Sequence, residues 1–148
     1  MQANTKLFSP LKIRGVTIPN RIVLSPLCMY SANDGVATDW QFAHLSTFAR
    51  GKTGLIFAEA TAVEARGRIT PGCLGIWTDE QAEALIPITS FIKKMGCVPG
   101  MQLAHAGRKA GTKTPWNGGT PLDDADIKAG NPPWDIIAPS DIPVAEGW

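Results

Sequence analysis

The residues with the most chemistry to offer lie in Ser25-Pro26-Leu27-Cys28-Met29-Tyr30, directly after the apolar stretch Ile22 to Leu24. A strand that runs out into a proline, a thiol and a phenol builds a rigid polar rim instead of continuing a core. Two further strand-like segments end on unusual residues of their own, Glu59-Ala60-Thr61 and Gln102-Leu103-Ala104-His105. In a parallel α/β protein the carboxyl ends of successive strands converge, so all three groups are expected at one site.

The elements that must position them follow from periodicity. Leu11-Lys12-Ile13 and Val16-Thr17-Ile18 alternate around Arg14-Gly15 and predict a hairpin, with the glycine supplying the difficult turn dihedral. After a loop from Ser31 to Thr38, Asp39 is expected to cap a helix with Phe42, Leu45, Phe48 and Ala49 on one face, ended by Gly51 or Gly54. Gly54 to Ala60 is a nearly continuous apolar run, as in a parallel strand covered on both faces. Thr78-Asp79-Glu80-Gln81 is a capping box, opening a helix with Ala82, Leu85, Ile86, Thr89, Ile92 and Met95 inward, a kink at Pro87 and a stop at Gly96. Val98 to Ala104 completes strand, helix, strand, helix, strand. From Gly107 the periodicity fails, and residues 107–148 predict a long loop region of the kind that belongs to a site or a contact with another subunit.

Composition narrows the function class. The 148 residues are 44% apolar and 18% charged, with a formal charge of +1 from 14 basic and 13 acidic side chains, so no footprint for nucleic acid or an acidic membrane surface exists. Cys28, Cys73 and Cys97 are three, without CxxC spacing, which argues for reduced thiols in a cytoplasmic protein rather than a disulfide framework or a metal site. The polar start Met-Gln-Ala-Asn-Thr-Lys lacks a leader-like apolar region, and no apolar run approaches the ~20 residues that span a bilayer. Gly51-Lys52-Thr53 imitates the tail of a phosphate-binding loop, but Ser46 stands where the leading glycine belongs and the triplet precedes a strand.

Asn20 to Tyr30, Glu59-Ala60, Gly67-Arg68-Ile69-Thr70 with Gly75-Ile76-Trp77, and Gln102 to Lys109 closely resemble the old yellow enzyme family in order and spacing, from about Leu7 to Ser140. The likeness is strongest to the bacterial subgroup typified by YqjM and xenobiotic reductase A. It implies an eight-stranded (β/α) TIM barrel that binds FMN and passes hydride from NADPH or NADH to activated alkenes. Such a barrel needs ~250 residues. The chain is accordingly expected to be an N-terminal portion, with the hairpin and about the first three strands of a single FMN-binding domain. A complementary C-terminal chain or segment is then expected to supply the rest, and the complete enzyme to be a homo-oligomer.

The resemblance also implies roles. The backbone of Ser25, Pro26, Leu27 and Cys28 would line the flavin, with the Cys28 thiol tuning it. Ala60 would let the ring approach, Gln102 would bind its pyrimidine edge, and Tyr30 would hydrogen-bond the carbonyl of an enone. Without the family pattern Cys28 reads as a small buried hydrophobe and Ala60 as packing, and a lone tyrosine reads equally as a rim or interface residue. His105, Arg108 and Lys109 fall at the pocket's edge, with a strand-end histidine more often structural than catalytic, and His44 is read as structural. Trp116, Trp134 and Trp148 either shape an entrance or cover the barrel surface, the second being favoured. Two rival readings are a non-catalytic binding or assembly module on the same scaffold and a dienoyl-CoA-type FMN barrel reductase, against which the Cys-Met-Tyr sequence argues.

Overall fold

The computed structural model describes residues 5–146 and residue 148. The expectation drawn from the polar start of the chain falls largely on residues 1–4, outside that range.

β1 (Leu11–Ile13) and β2 (Val16–Ile18) pair antiparallel, with Leu11 opposite Ile18 and Ile13 opposite Val16. The left-handed turn residue is Arg14, with φ of 51°, and not Gly15 as the sequence suggests. Beyond it, β3 (Val23–Leu24), β4 (Leu55–Ala62) and β5 (Val98–Ala104) form a parallel sheet in the order β3-β4-β5. Parallel neighbours need crossover connections, supplied here by α1 (Asp39–Arg50) and α2 (Asp79–Lys94).

Both helices start on a capping box, and in α1 the cap is Thr38, with Asp39 the first helical residue. Thr38 wins because Gln41, three positions on, accepts from its backbone N–H at 2.9 Å, whereas Asp39 has no such partner. Gly51 ends α1. Helix α2 passes through Pro87 without a break. Its buried face is Leu85, Ile88 and Ile92, while Ile86, expected inward, is 58% exposed and Ala82 faces solvent as well. A stripe at spacings of three and four places Ile88 rather than Ile86 in line with Leu85 and Ile92.

Leu45, Ala49, Ile56, Ala58, Leu85, Ile88, Ile92 and Cys97 form the core between the helices and one face of the sheet, and Leu24, Phe42, Phe48 and Met101 pack against it. By the two-residue alternation of strands, Val23, Leu55, Phe57, Gly100 and Gln102 belong to the opposite face. The described residues from 107 onward are largely irregular but include a short helix, α3 (Asp124–Lys128), opened by an Asp123 cap. Among the described residues no helix is long and apolar enough to cross a membrane.

Ile88→Ala should lower stability by about 2–5 kcal/mol through an unfilled core cavity, whereas Ile86→Ala should stay within about 0.5 kcal/mol. Urea unfolding of the two variants distinguishes the buried position from the exposed one.

Candidate active site

The site is built where β3, β4 and β5 end. The β4–β5 ladder runs in step from Leu55↔Val98 to Ala58↔Met101, then slips so that Ala60 faces Gln102. Glu59 is thus an extra residue, a β-bulge that turns two consecutive side chains, Ala58 and Glu59, into the protein. Beyond the bulge, Ala60 and Gln102 stand side by side on the face opposite the helices. The segment after β3 reaches the same place, since the backbone of Ala60 lies against the Cys28 thiol and helps hold its proton affinity down. Cys28, Ala60 and Gln102 therefore converge, along with Tyr30.

Tyr30 adopts a left-handed backbone, φ 50°, a conformation costly for a residue with a Cβ. It is held from two sides. Glu59, only 3% exposed, accepts from the Met29 N–H at 3.1 Å and from Gln41 Nε2 at 3.4 Å. Gly72 packs its Cα directly on the Tyr30 carbonyl, where any Cβ would collide, and its own carbonyl accepts from the Ala32 N–H at 3.0 Å. The Thr38 hydroxyl, in the cap of α1, shares its one proton between the Ser31 carbonyl at 3.0 Å and Gln41 Oε1 at 2.8 Å, so the helix start belongs to the same knot.

Burial dominates the electrostatics. It pushes the Cys28 thiol up, offset by the Ala60 backbone, with nearby Glu59 adding to the rise, so the thiol is protonated at neutral pH. It pushes Tyr30 up to about 12, reinforced by Cys28, Cys73 and Glu59. It also raises Glu59, against the lowering effect of its bonds to Met29 and Gln41.

The Gln102 side chain is exposed and makes no hydrogen bond with other described residues, while Ser25 is exposed and Leu27 is 45% exposed. An open amide beside a small alanine, edged by uncapped backbone, fits a flat heterocycle with donors and acceptors along its rim. Next to it, a cleft of about 390 Å³ is lined by Tyr30, Ile69, Lys109, Lys113 and Trp148. Trp116 meets the Tyr30 ring edge-on at 5.7 Å, and Trp148 lines the cleft.

Other candidates lie at the margin. His105 is fixed by Glu64 Oε1 at 2.7 Å and by the Gly107 N–H, which donates to Nδ1 at 3.0 Å. Arg108 donates to Ser140 Oγ at 2.9 Å. His44 stacks edge-on with Phe48 at 5.2 Å on α1. Trp134 covers Arg68, whose guanidinium lies 4.8 Å from its ring and 5.5 Å from that of Trp77. Glu59 had a visible position in the sequence but no role there. The signal for one was an acid inside an apolar strand, which burial obliges to find donors.

Three parallel strands joined by crossover helices, with a thiol, a phenol and an open amide at their carboxyl ends, define the first units of a β/α barrel. The chain belongs to the NADH:flavin oxidoreductase / NADH oxidase family, whose sequence pattern matches residues 6–134. It is 48% identical over 139 residues to the NADH:flavin oxidoreductase FG08077 of Gibberella zeae, covering 94% of this chain and 33% of that protein. An NADPH dehydrogenase of a Geobacillus species is 55% identical over 108 residues, covering 72% and 32%. The old yellow enzyme from Trypanosoma cruzi superposes with a TM-score of 0.72 at 31% identity, over 95% of this chain and 36% of that one. Morphinone reductase, solved with tetrahydroNAD, gives 0.65 at 31% identity over 72% and 29%. The chain spans about a third of the length of these relatives, and its fold is the N-terminal part of their TIM barrel.

Tyr30 is the one tyrosine of the chain, so its ionisation is read directly from tyrosinate absorbance. In a stopped-flow pH jump, before unfolding sets in, its midpoint should fall near 12 rather than the ordinary 10. Because the unfolded chain ionises first, stability should decline as pH rises from about 10 to about 12 and level off above that.

Proposed function

We propose that this chain supplies the cofactor-facing part of an FMN-dependent NAD(P)H oxidoreductase that reduces C=C bonds conjugated to a carbonyl or nitro group. The observation that carries the reading is the meeting of Cys28, Ala60 and Gln102 at the ends of three parallel strands. Bound FMN supplies two-electron exchange between a nicotinamide and the alkene. Ala60 would leave room for the ring, the Gln102 amide would bond its pyrimidine edge, and Ser25, Pro26 and Leu27 would line it with backbone. Cys28, protonated at neutral pH, acts as a neutral polarisable neighbour and not as a nucleophile. The Tyr30 hydroxyl, also neutral, donates a hydrogen bond to the substrate's carbonyl or nitro oxygen and draws electron density from the β-carbon.

Trp116 and the cleft beside Tyr30 hold the alkene. The Cys28-Met29-Tyr30 sequence favours the YqjM-like bacterial type. β3 and β5 are both edge strands, and Val23 and Leu103 are 50% and 66% exposed. A complementary segment or chain completes the barrel against these edges, brings the phosphate anchor, and the finished enzyme assembles as a homo-oligomer. The three free thiols are consistent with a cytoplasmic setting.

The test is spectroscopic. Purified together with the segment that completes the barrel, the protein should take up FMN, turn yellow and oxidise NADPH when cyclohexenone is added; a completed protein that stays colourless and inert and that FMN does not reconstitute supports the assembly module instead. Gln102→Ala should weaken FMN binding roughly 3- to 10-fold, the worth of one hydrogen bond. Cys28→Ala should shift the flavin reduction potential while FMN stays bound.

A further inference from the structure

We infer that Glu59 is the positioning residue of this site: its buried carboxylate, turned inward by the bulge, holds the Cys28–Tyr30 segment in the one backbone conformation that presents both side chains. Where this concerns catalysis it rests on the proposed function.

The argument begins with reach. Glu59 is the residue of β4 with no partner across the ladder, since Ala58 faces Met101 and Ala60 faces Gln102. Regular alternation would have pointed it away from Ala58's side, and the bulge puts both inside. Its two oxygens then divide the work. Oε2 accepts from the Met29 N–H, the peptide between the thiol and the phenol, and Oε1 accepts from Gln41 Nε2. Gln41 cannot turn its amide round to follow a changed partner, because its oxygen already accepts from the Thr38 N–H at 2.9 Å and from Thr38 Oγ1 at 2.8 Å. The carboxylate is therefore gripped by the start of α1 and itself grips the loop after β3.

The gripped loop is strained. Tyr30 sits at φ 50° without being glycine, and a conformation of that kind persists only where the surroundings over-determine it. Glu59 on one side and Gly72 on the other are those surroundings. Removing the Glu59 contact frees the turn, and the thiol and phenol then lose their common orientation and their shelter from water.

Two variants separate positioning from charge. Glu59→Gln keeps the shape but sets an amide N–H₂ against one of two donors. Glu59→Asp keeps the charge but draws the oxygens back by one methylene. In both, with far-UV circular dichroism unchanged, the Tyr30 midpoint should fall by about one pH unit or more toward its ordinary value. Alkylation of Cys28, resolved from Cys73 and Cys97 by peptide mass, should speed up about tenfold at mildly alkaline pH as the thiol becomes easier to ionise. In the FMN-loaded protein kcat should fall at least about tenfold with the KM for NADPH nearly unchanged. A Glu59→Asp protein with wild-type Tyr30 midpoint and wild-type Cys28 alkylation overturns the inference, and decides the matter if Glu59→Gln fails to fold. The first two readouts need no flavin, so failure of the proposed function and failure of this assignment are told apart.

Discussion

A carboxylate taken out of water must be met by donors or it destabilises the fold by several kcal/mol. Glu59 meets that demand with groups from two other places in the chain, the Met29 peptide and the Gln41 amide. The bulge in β4, the start of α1 and the turn after β3 are thereby one unit, although residues 29, 41 and 59 are far apart in sequence. The rim of the candidate site inherits its geometry from that unit and not from the short strand β3, whose two residues make only two register pairs with β4.

A second glutamine repeats the device at lower stakes. Gln81 closes the box at the start of α2, accepting from Trp77 and Thr78 through Oε1, and its Nε2 donates to the Asp34 carbonyl at 3.1 Å. Each crossover helix is thus fastened at its N-terminus to the loop that follows β3. Fixing these ends matters because the helices, lying on one side of the sheet, decide how the strands line up, and the strand ends carry the chemistry.

Much of this was legible in the chain itself. The apolar run from Gly54, the capping box at Thr78 and the run from Val98 have periods and boundaries that leave little choice, so three parallel strands with two helices followed directly. Errors arose where a local signal competed with a neighbour. Asp39 is a good cap residue, but Thr38 has Gln41 in reach. Gly15 is the better left-handed residue, yet the turn geometry put Arg14 there. Ile86 and Ile88 are alike in type, and only the packing of α2 against Leu45 and Ile56 decides between them. The site residues could be named from a family likeness, but the bulge could not: nothing in Ala58-Glu59-Ala60 marks a register slip, which exists only when β5 lies alongside. Tyr30's left-handed backbone is hidden for the same reason.

The long segment after β5 is moored at two places to one loop. Ala106 and Thr112 donate backbone N–H groups to the Gly67 and Ile69 carbonyls at 2.9 and 2.8 Å, and Trp134 Nε1 donates to the Arg66 carbonyl at 3.0 Å while its ring lies on Arg68. Between these moorings the chain carries Trp116, on a 3-10 turn over Pro115–Asn117, against Tyr30 and adds the short helix α3. A stretch tethered in this way is free to lengthen, shorten or change its side chains without disturbing the sheet beneath it. It is the natural place for access to the strand ends to be altered while the floor beneath stays the same.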